Sequence, residues 1–335
     1  MESVSASEPI APALDLLDQR LVQALEVDGR APFARLASVL GVSDQTVIRR
    51  YRRLRGDGLL RVVGLPVGPR VGLLESWLRV QCTPDAAVAV ADALARRPDI
   101  AWVTLNSGGT EVNCVTRARS REDRDTLLLQ KLPRTQRVTA VSAHSVLRVF
   151  SGGPDHRGTH LLTAEQIAAL APVVHPTTDR VPLDAADRAL FAALTQDGRA
   201  SYAELARATG LSESTVRRRA EQLRDCGALY YDVEIDNTLL GYQSAAVLWA
   251  TVAPADLAAV GAALAEHPEV AYAAAVTGPA SLVAVLVCSD NEALYEYLTG
   301  RLGALPAIQR VELTQVIRQV KRAGMRLEGH RLVEP

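Results

Sequence analysis

Residues 28–60 read DGRAPFARLASVLGVSDQTVIRRYRRLRGDGLL, and residues 197–229 read DGRASYAELARATGLSESTVRRRAEQLRDCGAL. The two stretches align without a gap and are identical at about half of their positions, a period too long for a solenoid repeat. Such a chain contains a fold twice. Its 335 residues are 48% hydrophobic, enough for two halves that each hold more than one domain.

The rest of each half matches in pattern rather than identity. Glu75–Cys82 and Ala245–Val252 alternate as strands do, and Pro84 and Pro254 then open Ala-rich helices. The breaks Arg97-Pro98 and His267-Pro268 precede a second strand. Ser107-Gly108-Gly109-Thr110 and Thr277-Gly278-Pro279-Ala280 read as hairpin turns into a third. A helix (121–132; 291–302) and a last strand (138–149; 311–320) close each half. The order βαββαβ predicts a ferredoxin-like α+β sandwich, present twice.

Ahead of each sandwich lies a three-helix pattern. Ala37 permits a close helix crossing, Gly41 suits a positive φ at the turn, and Ser43 is a natural N-cap. In the third helix Val47, Tyr51 and Leu54 share the inward face. Ala206, Gly210, Ser212, Val216, Ala220 and Leu223 repeat this arrangement. It predicts two winged or helix-turn-helix units that enter the major groove of double-stranded DNA by the N-terminal turns of the third helix. Ser43, Gln45, Thr46 and Arg49 in the first unit, and Ser212, Ser214, Thr215 and Arg218 in the second, are placed to reach the DNA. Arg52, Arg53, Arg55 and Arg61 are expected to grip phosphates, and Arg50 and Arg219, on the outward faces of the third helices, complete the expected DNA-binding set. Asp28-Gly29 is expected to end the first helix with a left-handed glycine. Net charge over the whole chain is -1, so DNA affinity must come from local patches. Ser43–Gly56 has five arginines and one aspartate, whereas Ser212–Asp225 has four arginines and three acids. The first unit is therefore expected to bind the more strongly.

These residues resemble the Lrp/AsnC (feast/famine) family of transcriptional regulators. The pattern stands as Asp28-Gly29-Arg30, Leu36-Ala37, Gly41, Ser43, Thr46-Val47, Arg49-Arg50, Leu54 and Gly58, and again as Asp197-Gly198-Arg199 through Gly227. The resemblance implies that the sandwich domains bind a small effector such as an amino acid and carry homo-oligomer contacts. It places effector sites near Gly108, Gly109, Thr110 and Glu111, and near Gly278 and Ser281. Glu111 offers a carboxylate to an ammonium group, while Ser281 stands where the family often has one. A fused pair is expected to form the family's dimer within one chain. The expected domains are 15–64 and 181–233 (DNA-binding), 70–150 and 239–325 (sandwich), with 151–180 a linker containing a short helix capped by Thr163.

Two other classes compete. Relatives of this architecture include siroheme decarboxylases, whose activity is associated with sandwich histidines; the first strands here have none. A ligand-sensing assembly protein with degenerate DNA-binding units is the other. No nucleotide loop, catalytic triad order or metal spacing stands out, so no catalytic residue, cofactor or metal is expected. His156 and His160 read as incidental linker residues. The four cysteines lack CxxC spacing, as thiols of a reducing cytoplasm do, and neither a signal peptide nor a membrane span is expected.

Overall fold

A computed structural model of the chain describes residues 14–132, 137–152, 161–177 and 179–334. His156 and His160 lie outside them. Helices α1 (Leu16–Val27), α2 (Phe33–Leu40) and α3 (Asp44–Gly56) form the first unit, followed by strand β1 (Leu60–Pro66). The first sandwich comprises β2 (Leu74–Cys82), α4 (Ala87–Ala95), β3 (Ile100–Asn106), β4 (Glu111–Ala118), α5 (Arg121–Asp125) and β5 (Val138–Ser151). After α6 (Ala164–Leu170) the second half repeats the order. It has α7 (Ala185–Gln196), α8 (Tyr202–Thr209), α9 (Glu213–Asp225), β6 (Leu229–Ile235), β7 (Ser244–Val252), α10 (Leu257–Ala265), β8 (Val270–Val276), β9 (Leu282–Cys288), α11 (Asn291–Tyr297) and β10 (Ile308–Lys321). A hairpin of β11 (Arg326–Glu328) and β12 (Arg331–Val333) ends the described chain.

The two halves are joined as the subunits of a two-fold dimer would be. β1 pairs antiparallel with β6, and the equivalent residues Val63 and Asp232 face each other. Neither strand makes a wing of its own. In each sandwich the last strand is long enough to serve two sheets. β5 pairs first with β2 and then crosses to β8, while β10 pairs with β7 and crosses to β3. Eight strands thus close into a ring with no free edge. The helix-facing sides of the two sheets have their own cores, around Leu78, Val103 and Leu94 in one and Leu248, Leu286 and Leu264 in the other.

The segment between the halves is more than a tether. Thr163 caps α6 with a reciprocal capping box through Gln166, as its sequence suggests. Leu170 is fully buried in the core of the first helix-turn-helix unit. Arg35 donates to the Ala169 carbonyl and Gln166 to the Val39 carbonyl. Farther on, the His175 and Thr177 amides bond to the Asp225 and Cys226 carbonyls at the end of α9. One strap therefore holds both units.

Glu234, in β6, is 1% exposed; one oxygen accepts from the Gly324 amide and the other has no partner among the described residues. Burial pushes its carboxyl up to about 7. Because the folded state holds this proton and the unfolded state releases it near its ordinary value, stability falls as pH rises from about 4.5 to 7. At about 1.4 kcal/mol per unit, up to about 3 kcal/mol is at stake. Glu234→Gln is expected to lessen the fall of thermal stability across this window, part of which remains with Glu26, also raised to about 7 by burial, and to raise the melting temperature at pH 8. Melts of both proteins from pH 5 to 8 check this; parallel curves would refute it.

Candidate nucleic-acid interface

The turn between α2 and α3 forms as the residues require. Gly41 has φ 71°, and so has Gly210 between α8 and α9. Ala37 is buried beneath the crossing. The Ser43 hydroxyl accepts the Thr46 amide at 3.3 Å and lies 2.9 Å from the Thr46 hydroxyl. Ser212 makes the same contacts to Thr215, at 3.2 and 2.8 Å. These two threonines thus complete the caps. Val47, Tyr51 and Leu54 are buried on α3, and Val216, Ala220 and Leu223 on α9.

The arginines divide into two groups. Arg49, Arg52, Gln45 and Ser43 are exposed, as are Arg218, Ser214 and Ser212. Arg49, Arg52 and Arg218 join no ion pair with a described residue. Arg50 is half-buried instead. It pairs with Asp15 at 2.6 Å and with buried Asp18 at 2.9 Å, and Arg53 holds the other Asp18 oxygen at 2.5 Å. Arg219 repeats this with Asp184 and buried Asp187. Asp15 and Asp184 are also the N-caps of α1 and α7. Arg50 and Arg219, expected to face outward toward DNA, instead tie each third helix to the start of its first. The Arg50 guanidinium holds the Asp15 carboxyl below its usual range. Arg55 is also committed, to Asp197, and Arg61 donates to the Gln196 carbonyl. Arg217 was not among the expected residues. It is exposed on α9 and stacks on Tyr202, 4.8 Å from the ring centre. Its counterpart is Ile48, which hides it from a comparison of the repeats.

The Asp-Gly-Arg motif fixes the two units against each other. Arg30 donates to the Gly198 and Ala200 carbonyls at 2.9 and 3.0 Å. Arg199 returns the contact to the Gly29 and Ala31 carbonyls at 2.6 and 3.0 Å. Arg55–Asp197 and Arg224–Asp28 form a second reciprocal pair. The glycines serve this approach. A Cβ on Gly29 would lie 2.8 Å from Tyr231 Cβ, and one on Gly198 would lie 2.7 Å from the Val63 carbonyl carbon. Gly29 does not have a positive φ, and Asp28 ends α1 in extended conformation. The left-handed cap expected there is thus replaced by close packing between the halves.

The turns implicated in effector binding are also engaged between halves. Glu111 is buried; its carboxylate takes Arg79 at 2.7 Å and the Asn113 amide at 2.8 Å, and Arg79 continues to Glu312 at 2.5 Å. An ammonium group at the expected site would therefore share Glu111 with Arg79, which Glu312 also holds. Gly108 and Gly109, at φ 69° and 82°, shape the turn, and the Thr110 hydroxyl donates back to the Ser107 carbonyl. In the other half Ser281 bonds to the backbone of Val252, and Gly278 leaves room for the His144 ring. His144 Nδ1 meets the Thr277 carbonyl at 2.7 Å.

Two capped arginine-bearing helices related by an internal two-fold define a DNA-reading class of protein. Residues 14–55 and 183–224 match the AsnC-type helix-turn-helix domain, and residues 245–325 match the Lrp/AsnC ligand binding domain. The chain is 30% identical to the HTH-type transcriptional regulator FL11 of Pyrococcus horikoshii over 143 residues, 42% of this chain and 94% of that one. It is 31% identical to the uncharacterized HTH-type transcriptional regulator PH0140 of the same organism over 150 residues, 44% and 94% of the two chains. This chain belongs to the Lrp/AsnC family. Its duplicated fold is similar over 92% of its length to the siroheme decarboxylase NirDL, with a TM-score of 0.60 at 14% identity and 93% coverage of that chain.

Proposed function

We propose that this protein is a sequence-specific DNA-binding transcriptional regulator whose two reading heads are fused in one chain and whose sandwich domains sense a small molecule. The observation that carries this reading is the pair of capped third helices presenting exposed Arg49 and Arg52, and Arg217 and Arg218. Regulators similar over nearly their whole length support it. In this reading the protein is not an enzyme. The sandwich contacts that single-unit relatives would make between subunits are made within the chain, so further homo-oligomer contacts use the outer faces. Among the described residues no helix is long and apolar enough to cross a membrane.

The test is retention of fragmented genomic DNA by purified protein across a salt series, with sequencing of what is bound. A small set of fragments, released with a steep salt dependence, is the expected result. Arg52→Gln is expected to lower the slope of log affinity against log salt by about one. Retention without sequence preference, or none, would reject the reading.

The whole-chain likeness to a decarboxylase gives a second reading its one foothold. Incubation with siroheme separates the two: loss of carbon dioxide from the tetrapyrrole would establish it, and unchanged siroheme excludes it.

A further inference from the structure

A cavity of about 1000 Å³ lies between the ring of sandwich strands and the β1–β6 layer. Its walls show that the two copies have diverged where they face each other. On the first copy's inner surface stand Glu75, Trp77, Asn113 and Arg117, whose equivalents in the second are Ala245, Val247, Val283 and Val287. Trp102 faces Tyr272 as its equivalent, and Thr104 becomes Ala274. One copy has acquired charge, amide and indole; the other has acquired small side chains and leaves room. A symmetric dimer of identical subunits has no means of making this division, since each face must be its own partner.

We propose that this interior is a ligand site for a planar aromatic acid carrying a hydroxyl or amine donor. The volume is at the upper end of the roughly 300–1000 Å³ usual for small-molecule sites. Trp77 and Tyr272, with ring centres 5.8 Å apart, and Trp102 supply flat apolar walls. Six arginines and four carboxylates line the space, which favours an anion. Arg117 stacks on Trp102 at 5.0 Å and reaches Glu75 through Nε at 2.9 Å. Asn113 is 1% exposed, and its amide nitrogen is taken by Glu111. The Asn113 carbonyl oxygen has no partner among the described residues. Leaving such an acceptor unmatched is costly, and a ligand donor recovers that cost.

This inference deepens the sensing half of the proposed function, and its test needs no DNA, so either can fail alone. All three tryptophans of the chain, Trp77, Trp102 and Trp249, lie in the strand ring, and the Trp77 and Trp249 ring centres are 6.0 Å apart. Tryptophan fluorescence therefore reports directly on the cavity. The full chain is titrated with 4-hydroxyphenylacetate, phenylacetate and L-leucine by calorimetry and fluorescence, to about 5 mM, the range of weak binding. The aromatic acids are expected to bind at one per chain, the hydroxylated one about tenfold tighter, and leucine not at all. Asn113→Leu is expected to remove the difference between the two acids. Val247→Trp fills the space, and Ala245→Leu does so more gently should the first fail to fold. Either is expected to weaken both acids at least about tenfold. Absence of saturable aromatic binding in the wild type, or undiminished binding in a folded filled variant, would overturn the proposal.

Discussion

Replacing Arg30 and Arg199 together with alanine is expected to uncouple the two helix-turn-helix units and to abolish tight DNA binding. Each guanidinium donates to two carbonyls of the opposite copy. Each also lies on aromatic faces: Arg199 is 4.4 Å from the Phe33 ring centre, and Arg30 is 4.9 Å from that of Tyr202. Charged hydrogen bonds of this kind are worth about 1.5–3 kcal/mol each way, so the pair amounts to about 3–6 kcal/mol. The two-stranded β1–β6 sheet alone is a weak substitute. Thermal melting is expected to fall by about 10 °C. Affinity for a two-site fragment is expected to fall by about a hundredfold, because the second head no longer arrives pre-positioned. Lysine at both positions recovers charge but not the forked geometry and is expected to rescue little. Full affinity in the double alanine variant would show that the clasp does not set the heads.

The second large effect separates reading from scaffolding. Arg49→Ala with Arg218→Ala removes equivalent exposed guanidiniums near the capped ends of α3 and α9. With each base contact worth about 1–3 kcal/mol, specific affinity is expected to fall by about 10²–10³ while melting stays unchanged. Arg50→Ala or Arg219→Ala is expected to behave the other way. Asp18 and Asp187 are 1% and 4% exposed, and loss of an arginine partner costs the fold about 1–3 kcal/mol. DNA binding then weakens chiefly as the head loosens. Anisotropy titrations and melts of these variants distinguish the roles. Equal melting losses in both pairs would contradict the division. The first head also keeps Arg52 where the second has Glu221, so removing Arg49 is expected to cost more than removing Arg218.

Much of this fold is legible in the sequence because it depends on local rules. Helical spacing places Val47, Tyr51 and Leu54 inward, cap chemistry places Ser43 and Thr163, and the prolines and glycines divide the strands. What local rules miss is where a side chain goes when the two copies meet. Nothing in residues 138–151 marks the point at which β5 leaves one sheet for the other. Asp28-Gly29-Arg30 looks like a helix end, yet its glycine serves close approach and its arginine serves the other copy. Arg50 shares a helix face with Arg49 and Arg53 by spacing alone, while Asp18, thirty-two positions earlier, claims it. The β11–β12 hairpin is within reach of such rules: Arg326 to Val333 alternates around Gly329, which has φ 59°. Asn113 and Arg117 are not, since their meaning depends on the valines that replace them in the second copy.

The central claim, two heads read by one chain, is tested most directly by hydroxyl-radical footprinting on the best-retained fragment at known protein-to-DNA ratio. Two protected patches, related by a dyad and about one helical turn or a multiple apart, saturating at one chain per site pair, are the predicted result. A single protected patch, or two patches that require two chains, would contradict the fused pair as the reading unit.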